Sequence, residues 1–456
     1  MSTSAISSKD VASQQVGQLH VGAAKVDITP PADALPAGYK AIHDPIYVRA
    51  ILVDNGLTKA VLISADLVML GEDFYVDTAQ AIAAAVGCPI ERIIISATHT
   101  HSSPTPNLHP IPGRQSNSFL SFDPVYAGRI KQCMLAAVQQ ALANRHAARM
   151  GYGTGACYLN VNRDAIHPET RTWYQGPNPD GPSDKTVAVL KFESLDGEPI
   201  AIYVNYAMHA NLMFMRNEIG GGFPGAMARY LEEFYDEKMI ALWTSGAAGD
   251  QNPLYWSAGE PAFAAEKRPQ LAAAGGDPND VIALANFVEA TIAPKVLVRN
   301  TRLIDSIGQL LGEEVIRIVE NTTRTSTDVR IWGAHQTISC PGRRRLDSGR
   351  EGAPGQYEEG DPVALRLGLL VIGSVALAIV TGELYSVIGQ RLKQLAPYGE
   401  TMVVTLANGR SVGYIPDDAA YGRYTFQVLG TRLKPGHAEQ AIVETLLDLM
   451  NQSMVN

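Results

Sequence analysis

Apolar runs of strand length recur along the chain, split by turn residues or by segments of helical period, and this alternation restricts it to an α/β fold. LHVGAAKVDITPP opens as a strand that Pro30 and Pro31 stop, because proline cannot donate to a ladder. YVRAILVDNG and KAVLISADLVML meet at Asn55 and Gly56, a strong hairpin signal. Residues 72–87 and 125–144 have helical spacing, and ERIIISATHTHSS runs as a buried strand into a polar loop. Strands follow around ARMGYGTG, TVAVLKFES and PIAIYVNYAMHAN, then a helix at 225–237 and the strand MIALWTSGAAGD. A long helix is expected near 280–295, with short strands at 301–320 and 328–338. LRLGLLVIG and SVALAIVTG meet at Gly373 before ELYSVIGQRLKQL switches to helical period. Stretches 254–280 and 341–362 read as long polar loops. No linker or long repeat interrupts the pattern. The expectation is a single large α/β domain (α+β-like) of mixed sheets surrounded by helices over residues 20–456, behind a flexible polar leader at 1–19.

Composition narrows the function. An apolar fraction of 46% and a charged fraction of 18% are those of a globular chain able to bury a core without disulfides. A net charge of −9 argues against nucleic acid as a partner, since that footprint needs clustered Lys and Arg. Arg343, Arg344 and Arg345 sit in the 341–362 stretch and read as a solvated loop. Cys88, Cys133, Cys157 and Cys340 are scattered without CxxC spacing, which signals neither a disulfide framework nor a cysteine zinc knot and fits a reducing compartment. The polar start lacks the apolar core of a secretory signal, and no run is long enough to span a bilayer, so the expectation is a cytoplasmic protein without membrane insertion. Homo-oligomer formation is compatible with all of this.

The residues that carry chemistry sit where apolar strands end. His99 and His101 leave the strand IIISA, and alternation along an extended chain would put them on the same side. His209 follows the strand AIYVNYAM, and Glu383 stands between a strand and a helix whose terminal amides would hold its carboxylate ionised. Polar clusters fall in three loops: NVNRDAIHP with Arg163, TSGAAGDQNP with Asp250 and Asn252, and NGRSVGYIPDD with Tyr414. Taken singly, each has a bland explanation as a core histidine, a capping glutamate or turn residues.

Taken in order, these blocks resemble the neutral ceramidase family, the neutral/alkaline non-lysosomal ceramidases, from about residue 20 to about 430. The strings are GAAKVDITPP, SATHTHSSP, NVNRDA, NYAMHAN, GAAGDQNP, TGELYS and GYIPDDAAY. The resemblance implies one zinc ion held by His99, His209, Glu383 and Tyr414. Zinc accepts imidazole nitrogen and carboxylate or phenolate oxygen, and lowers the pKa of a bound water to about 7. That water would attack the amide, or the ester, carbonyl of a small acylated substrate. The resemblance gives His101 a proton-transfer or oxyanion role and Arg163 a hold on the carbonyl oxygen. Asp66 is expected to take the second N–H of a metal histidine, with Asp250 beside it outside the ligand set. Two departures turn the expected substrate from long-chain ceramide toward a short soluble acyl compound. Asn252 stands where the family has serine, and a long immunoglobulin-like C-terminal domain is not expected in the 42 residues after Tyr414. Specificity is expected in loops 105–122, 254–280 and 341–362. Two other readings stay open: a TIM-barrel metal amidohydrolase, where an HxH pair also follows a strand, and a metal-binding scaffold without catalysis.

Overall fold

Side chains that alternate between two buried faces along the strands build a sandwich of two sheets. The computed structural model describes residues 16–36, 38–108, 123–212, 217–255, 260–277, 281–291, 294–347, 351–409 and 412–455. Strand Lys59–Ala65 turns Val61, Ile63 and Ala65 to one side and Ala60 and Leu62 to the other. The first set packs beneath helices Glu72–Val86 and Pro124–Ala143. The second set joins Leu370, Ile372, Leu377, Ile379 and Val404 of the other sheet. With both faces covered, such strands are apolar almost throughout, which is why they stand out in the sequence.

The larger sheet runs 240–245, 199–206, 186–194, 146–156, 20–27, 47–54, 59–65, 93–97, with 325–326 also on 146–156. The smaller runs 16–18, 328–345, 357–372, 375–380, 400–405. Helices Gly222–Phe234 and Pro294–Asn321 cover the rest of the larger sheet's outer face. Ser386–Leu395 and Ala438–Val455 cover the smaller sheet. The layers are helix, sheet, sheet, helix, as the α/β expectation requires. Two open sheets, paired antiparallel over much of their width, exclude the TIM-barrel alternative.

Parallel pairs position the chemistry. Strands 59–65 and 93–97, 199–206 and 240–245, and 375–380 and 400–405 pair in parallel. Helices 72–86, 222–234 and 386–395 fall within the connections. Loops leaving the carboxyl ends of parallel strands converge on a crevice. Asp66, His99, His209, Asp250 and Glu383 all lie within a few residues of such an end.

Several element expectations are corrected. Residues 301–320 are not short strands but part of one helix, Pro294–Asn321. Its buried Ile304, Ile307, Leu311, Val315 and Ile318 fall three or four apart, a helical stripe that outweighs their β-branching. The 254–280 stretch contains helix Glu260–Ala273. Residues 341–345 and 357–362 are strand: Arg343 and Arg344 lie across from Glu359 and Glu358, and opposite charges on facing strands stabilise the pairing. The Arg343 guanidinium also lies 3.9 Å from the centre of the Tyr357 ring. Val16–Gln18, expected in the leader, is a strand that pairs with 328–330. The expectations for 1–15 and for 109–122 of the first specificity loop lie outside the described residues, as do 256–259, 278–280 and 348–350 of the other two. Among the described residues no helix is long and apolar enough to cross a membrane.

Candidate metal centre

After strand Ile93–Ala97 the backbone folds back on its neighbour. Thr98 N–H donates to Ala65 O at 2.9 Å and His99 N–H to Leu67 O at 3.0 Å. His99 takes a left-handed φ of 63°, uncommon for a residue with a side chain. That turn, rather than extended alternation, brings the His99 and His101 rings to a centroid separation of 4.6 Å. His209 follows strand Pro199–Tyr206, and its ring lies 4.7 Å from His99. Glu383 and Tyr414 sit directly opposite each other in a short parallel ladder. The Tyr414 ring stacks along His209 at 6.4 Å.

The histidine rings are gripped from behind by backbone. Nδ1 of His99 is 2.7 Å from Val68 O, and Nδ1 of His209 is 2.7 Å from Ala248 O and 3.1 Å from Gln251 O. Their Nε2 atoms face Oε2 of Glu383, at 3.5 Å for His99 and 3.1 Å for His209. Burial, reinforced by Arg163, lowers the His209 pKa to about 3, so the ring is neutral at neutral pH. Glu383 is ionised: burial opposes its charge, and the two imidazoles beside it outweigh burial. A neutral ring carries one N–H. Placed on Nδ1 of His209 it satisfies the carbonyls and leaves a lone pair aimed at the carboxylate; placed on Nε2 it leaves a lone pair aimed at the carbonyls. A cation between the Nε2 atoms and Glu383 satisfies every partner at once.

Distances agree with that chemistry. Neighbouring ligands of a tetrahedral zinc, with bonds of about 2.0 to 2.1 Å, lie about 3.3 Å apart. The contacts of His99 and His209 with Glu383 bracket this at 3.5 and 3.1 Å. His101 is equally close, its Nε2 3.2 Å from that of His99. Among the described residues, His99, His101 and His209 form the group able to hold a metal, with ligand atoms all within 4.8 Å of one another. These residues fit a zinc-sized ion. Burial and the Glu383 charge raise the Tyr414 phenol above its ordinary pKa, so it keeps its proton until a cation is beside it.

The other expected residues divide. Arg163 is buried against the site, its guanidinium 5.2 Å from the Tyr414 ring centre. It donates to Gly249 O at 3.1 Å and to Asn252 Oδ1 at 3.2 Å. Asp66 does not reach a histidine. Backbone carbonyls already occupy both Nδ1 positions, and Asp66 instead accepts from Arg49 at 3.1 Å and from Tyr47 N–H at 2.9 Å. Nor do helix-terminal amides hold Glu383, because the Ser386 N–H donates to Asp250 at 2.8 Å.

The family model for the N-terminal part of neutral/alkaline non-lysosomal ceramidases matches residues 19–263, more than half of the 456 residues. The chain belongs to the neutral/alkaline non-lysosomal ceramidase family. Neutral ceramidase B of Dictyostelium discoideum is 26% identical over 244 residues, 50% of this chain and 33% of that protein. Neutral ceramidase of Drosophila pseudoobscura pseudoobscura is 26% identical over 258 residues, 51% of this chain and 36% of that protein. The alignments thus span about a third of these relatives' length. A ceramidase complexed with C2 superposes with a TM-score of 0.70 at 16% identity, covering 96% of this chain and 75% of that one. Neutral ceramidase from Pseudomonas aeruginosa gives 0.67, also at 16% identity, covering 95% and 75%. The family match takes in His99, His101, Arg163, His209, Asp250 and Asn252; Glu383 and Tyr414 lie beyond it, within the part that shares the ceramidase fold.

Asn211 and Gly249 are site residues that sequence reading passed over. Asn211 donates to Asn252 at 3.2 Å, and its one signal was its place two residues after His209. Gly249 packs against the Glu383 backbone, beside the Asp250 that drew attention instead.

Proposed function

We propose that this member of the ceramidase family is a zinc-dependent hydrolase that cleaves the amide, or the ester, of a small acylated compound. The observation that carries the reading is the convergence of His99 Nε2, His209 Nε2 and Glu383 Oε2 at the spacing of ligands around one ion, with a neutral His209 ring unable to donate to its carbonyls and to Glu383 at once. His99, His209, Glu383 and Tyr414 would hold the ion. When bound it supplies Lewis-acid polarisation of a carbonyl and a water acidic enough to react near pH 7.

The chain's own residues supply the rest. His101 is kept neutral, because burial and then the neighbouring histidines lower its pKa well below the ordinary value, so it can take a proton. As water adds to the carbonyl carbon, His101 accepts its proton and returns it to the leaving nitrogen. The carbon–nitrogen bond breaks, and the products are a carboxylic acid and an amine. Arg163 keeps its charge against burial through Tyr414 and Glu383, and holds Asn252 in place beside the carbonyl. The free thiols of all four cysteines support a cytoplasmic location.

The test is metal content read alongside rate. Zinc-loaded protein should hydrolyse members of a panel of short N-acyl amides and esters, and a chelator should abolish this. His99→Ala and His209→Ala variants should lose zinc and activity together. Activity that survives prolonged chelation would replace this reading with one in which a nucleophile such as Ser102 does the chemistry.

A further inference from the structure

Asn252 is oriented by a neighbour that can only donate. Arg163 Nη1 lies 3.2 Å from its Oδ1, and a guanidinium has no acceptor, so the side-chain oxygen must face it. Asn211 gives the same oxygen its Nδ2, also at 3.2 Å. This relay determines which end of each carboxamide is left over. Asn252 Nδ2 makes no hydrogen bond to a described residue. Asn211 Oδ1 is buried without a partner in a residue only 5% exposed. A buried acceptor with no donor costs free energy, and a ligand that brings the donor removes that cost. Asn211 lies two residues past His209, on a segment whose Ala210 O accepts from His101 N–H at 3.1 Å. The unmet acceptor therefore belongs to the segment that carries His209 and supports His101.

We propose that Asn211 Oδ1 accepts the N–H of the scissile amide while Asn252 Nδ2 donates to an oxygen of the same substrate, which makes Asn211 the residue that selects an amide over an ester. The inference rests on the hydrolase reading above. A trans secondary amide shows N–H and C=O on opposite edges, and the relay offers its acceptor on one residue and its donor on the next. An ester places an oxygen where the amide has N–H, so acceptor meets acceptor. Sites built to bond a substrate N–H reject analogues that lack it far better than apolar pockets reject a missing methylene.

The experiment compares an amide and an ester with identical acyl and leaving portions on the zinc-loaded full chain and its Asn211→Ala and Asn211→Leu variants. The amide-to-ester ratio of kcat/KM should fall about 10-fold or more in both variants, with zinc content retained. Methylating the amide nitrogen, which deletes the donor, should cost the wild type more than either variant. A ratio that does not move in a variant still active on the ester overturns the role of Asn211. If neither variant folds, wild-type turnover of the N-methyl amide equal to that of the parent amide does the same. Failure of the zinc-loaded wild type to cleave either substrate is a separate result, which removes the hydrolase reading and this inference with it.

Discussion

The Asp250 carboxylate accepts both the backbone N–H and the hydroxyl of Ser386, each at 2.8 Å. Asp250 follows a strand of the larger sheet, and Ser386 begins the helix after Glu383, which lies just beyond strand 375–380 of the smaller one. The pair therefore ties the loop of Asn252 to the turn of Glu383, and the centre is assembled across two sheets by this link as well as by apolar packing.

Asp250 should make stability depend on pH. Burial first, and the nearby Asp164 second, push its pKa from 3.8 up to about 7, against the opposing hydrogen bonds of Ser386. A raised folded-state pKa contributes stability that is full below the unfolded value and is lost as pH rises through the folded one. Wild type should therefore lose stability from about pH 4 to about pH 7 through this group, by a few kcal/mol in all, since each tenfold change in proton affinity is worth about 1.4 kcal/mol. An Asp250→Asn variant lacks the titration, so it should gain on wild type as pH rises across this window. Denaturant melts at several pH values check it, and a constant gap would mean that Asp250 stays ionised throughout.

Gly249 should be irreplaceable for a local reason. A Cβ at this position would sit 2.4 Å from Glu383 O and 3.0 Å from its carbonyl carbon, both backbone atoms that cannot swing aside. The Gly249 N–H also donates to Leu384 O at 2.8 Å. Gly249→Ala should displace Glu383, cost about 1 to 3 kcal/mol of stability by overpacking, and weaken zinc binding by about 10- to 100-fold, as loss of a supporting contact does. A zinc titration with unchanged affinity would contradict it.

Histidines and glycines of this kind differ in how far a sequence discloses them. His99 and His101 are legible as a pair spaced two apart at a strand end, whereas His209, Glu383 and Tyr414 became legible only as members of an ordered set of blocks. Their partners were not. The groups gripping His99 and His209 are the carbonyls of Val68, Ala248 and Gln251, and a carbonyl looks the same at every residue, so Asp66 attracted the role it does not fill. The helix Pro294–Asn321 was misread because Ile304, Ile307, Val315 and Ile316 favour strands locally, whereas the spacing that packs them on the larger sheet is helical. The strands around Arg343 to Arg345 were hidden because a basic run resembles a loop until the facing Glu358 and Glu359 are known.

Arg163→Lys should separate charge from shape. Arginine reaches Gly249 O and Asn252 Oδ1 with different nitrogens of one planar fork while lying 5.2 Å from Tyr414 and 5.4 Å from Phe426. Lysine keeps the charge but cannot reproduce the fork. Losing one such charged hydrogen bond is worth about 1.5 to 3 kcal/mol, so kcat/KM should fall by roughly 10- to 100-fold with zinc content intact. Activity equal to wild type would show that only the charge matters.

Asn252 bears on the substrate itself. Its Oδ1 is committed to Arg163 and Asn211, each at 3.2 Å, so the residue can offer a substrate its N–H groups but no hydroxyl. The carboxamide is also bulkier than the serine that the family resemblance places there. A short polar acyl amide should therefore exceed dispersed long-chain ceramide in kcat/KM. Asn252→Ser should narrow that gap by restoring the smaller residue, with Arg163 Nη1 then free for the substrate. Competitive turnover of both compounds by wild type and variant decides it: comparable or better cleavage of ceramide in detergent by wild type would show that Asn252 leaves the substrate class unchanged.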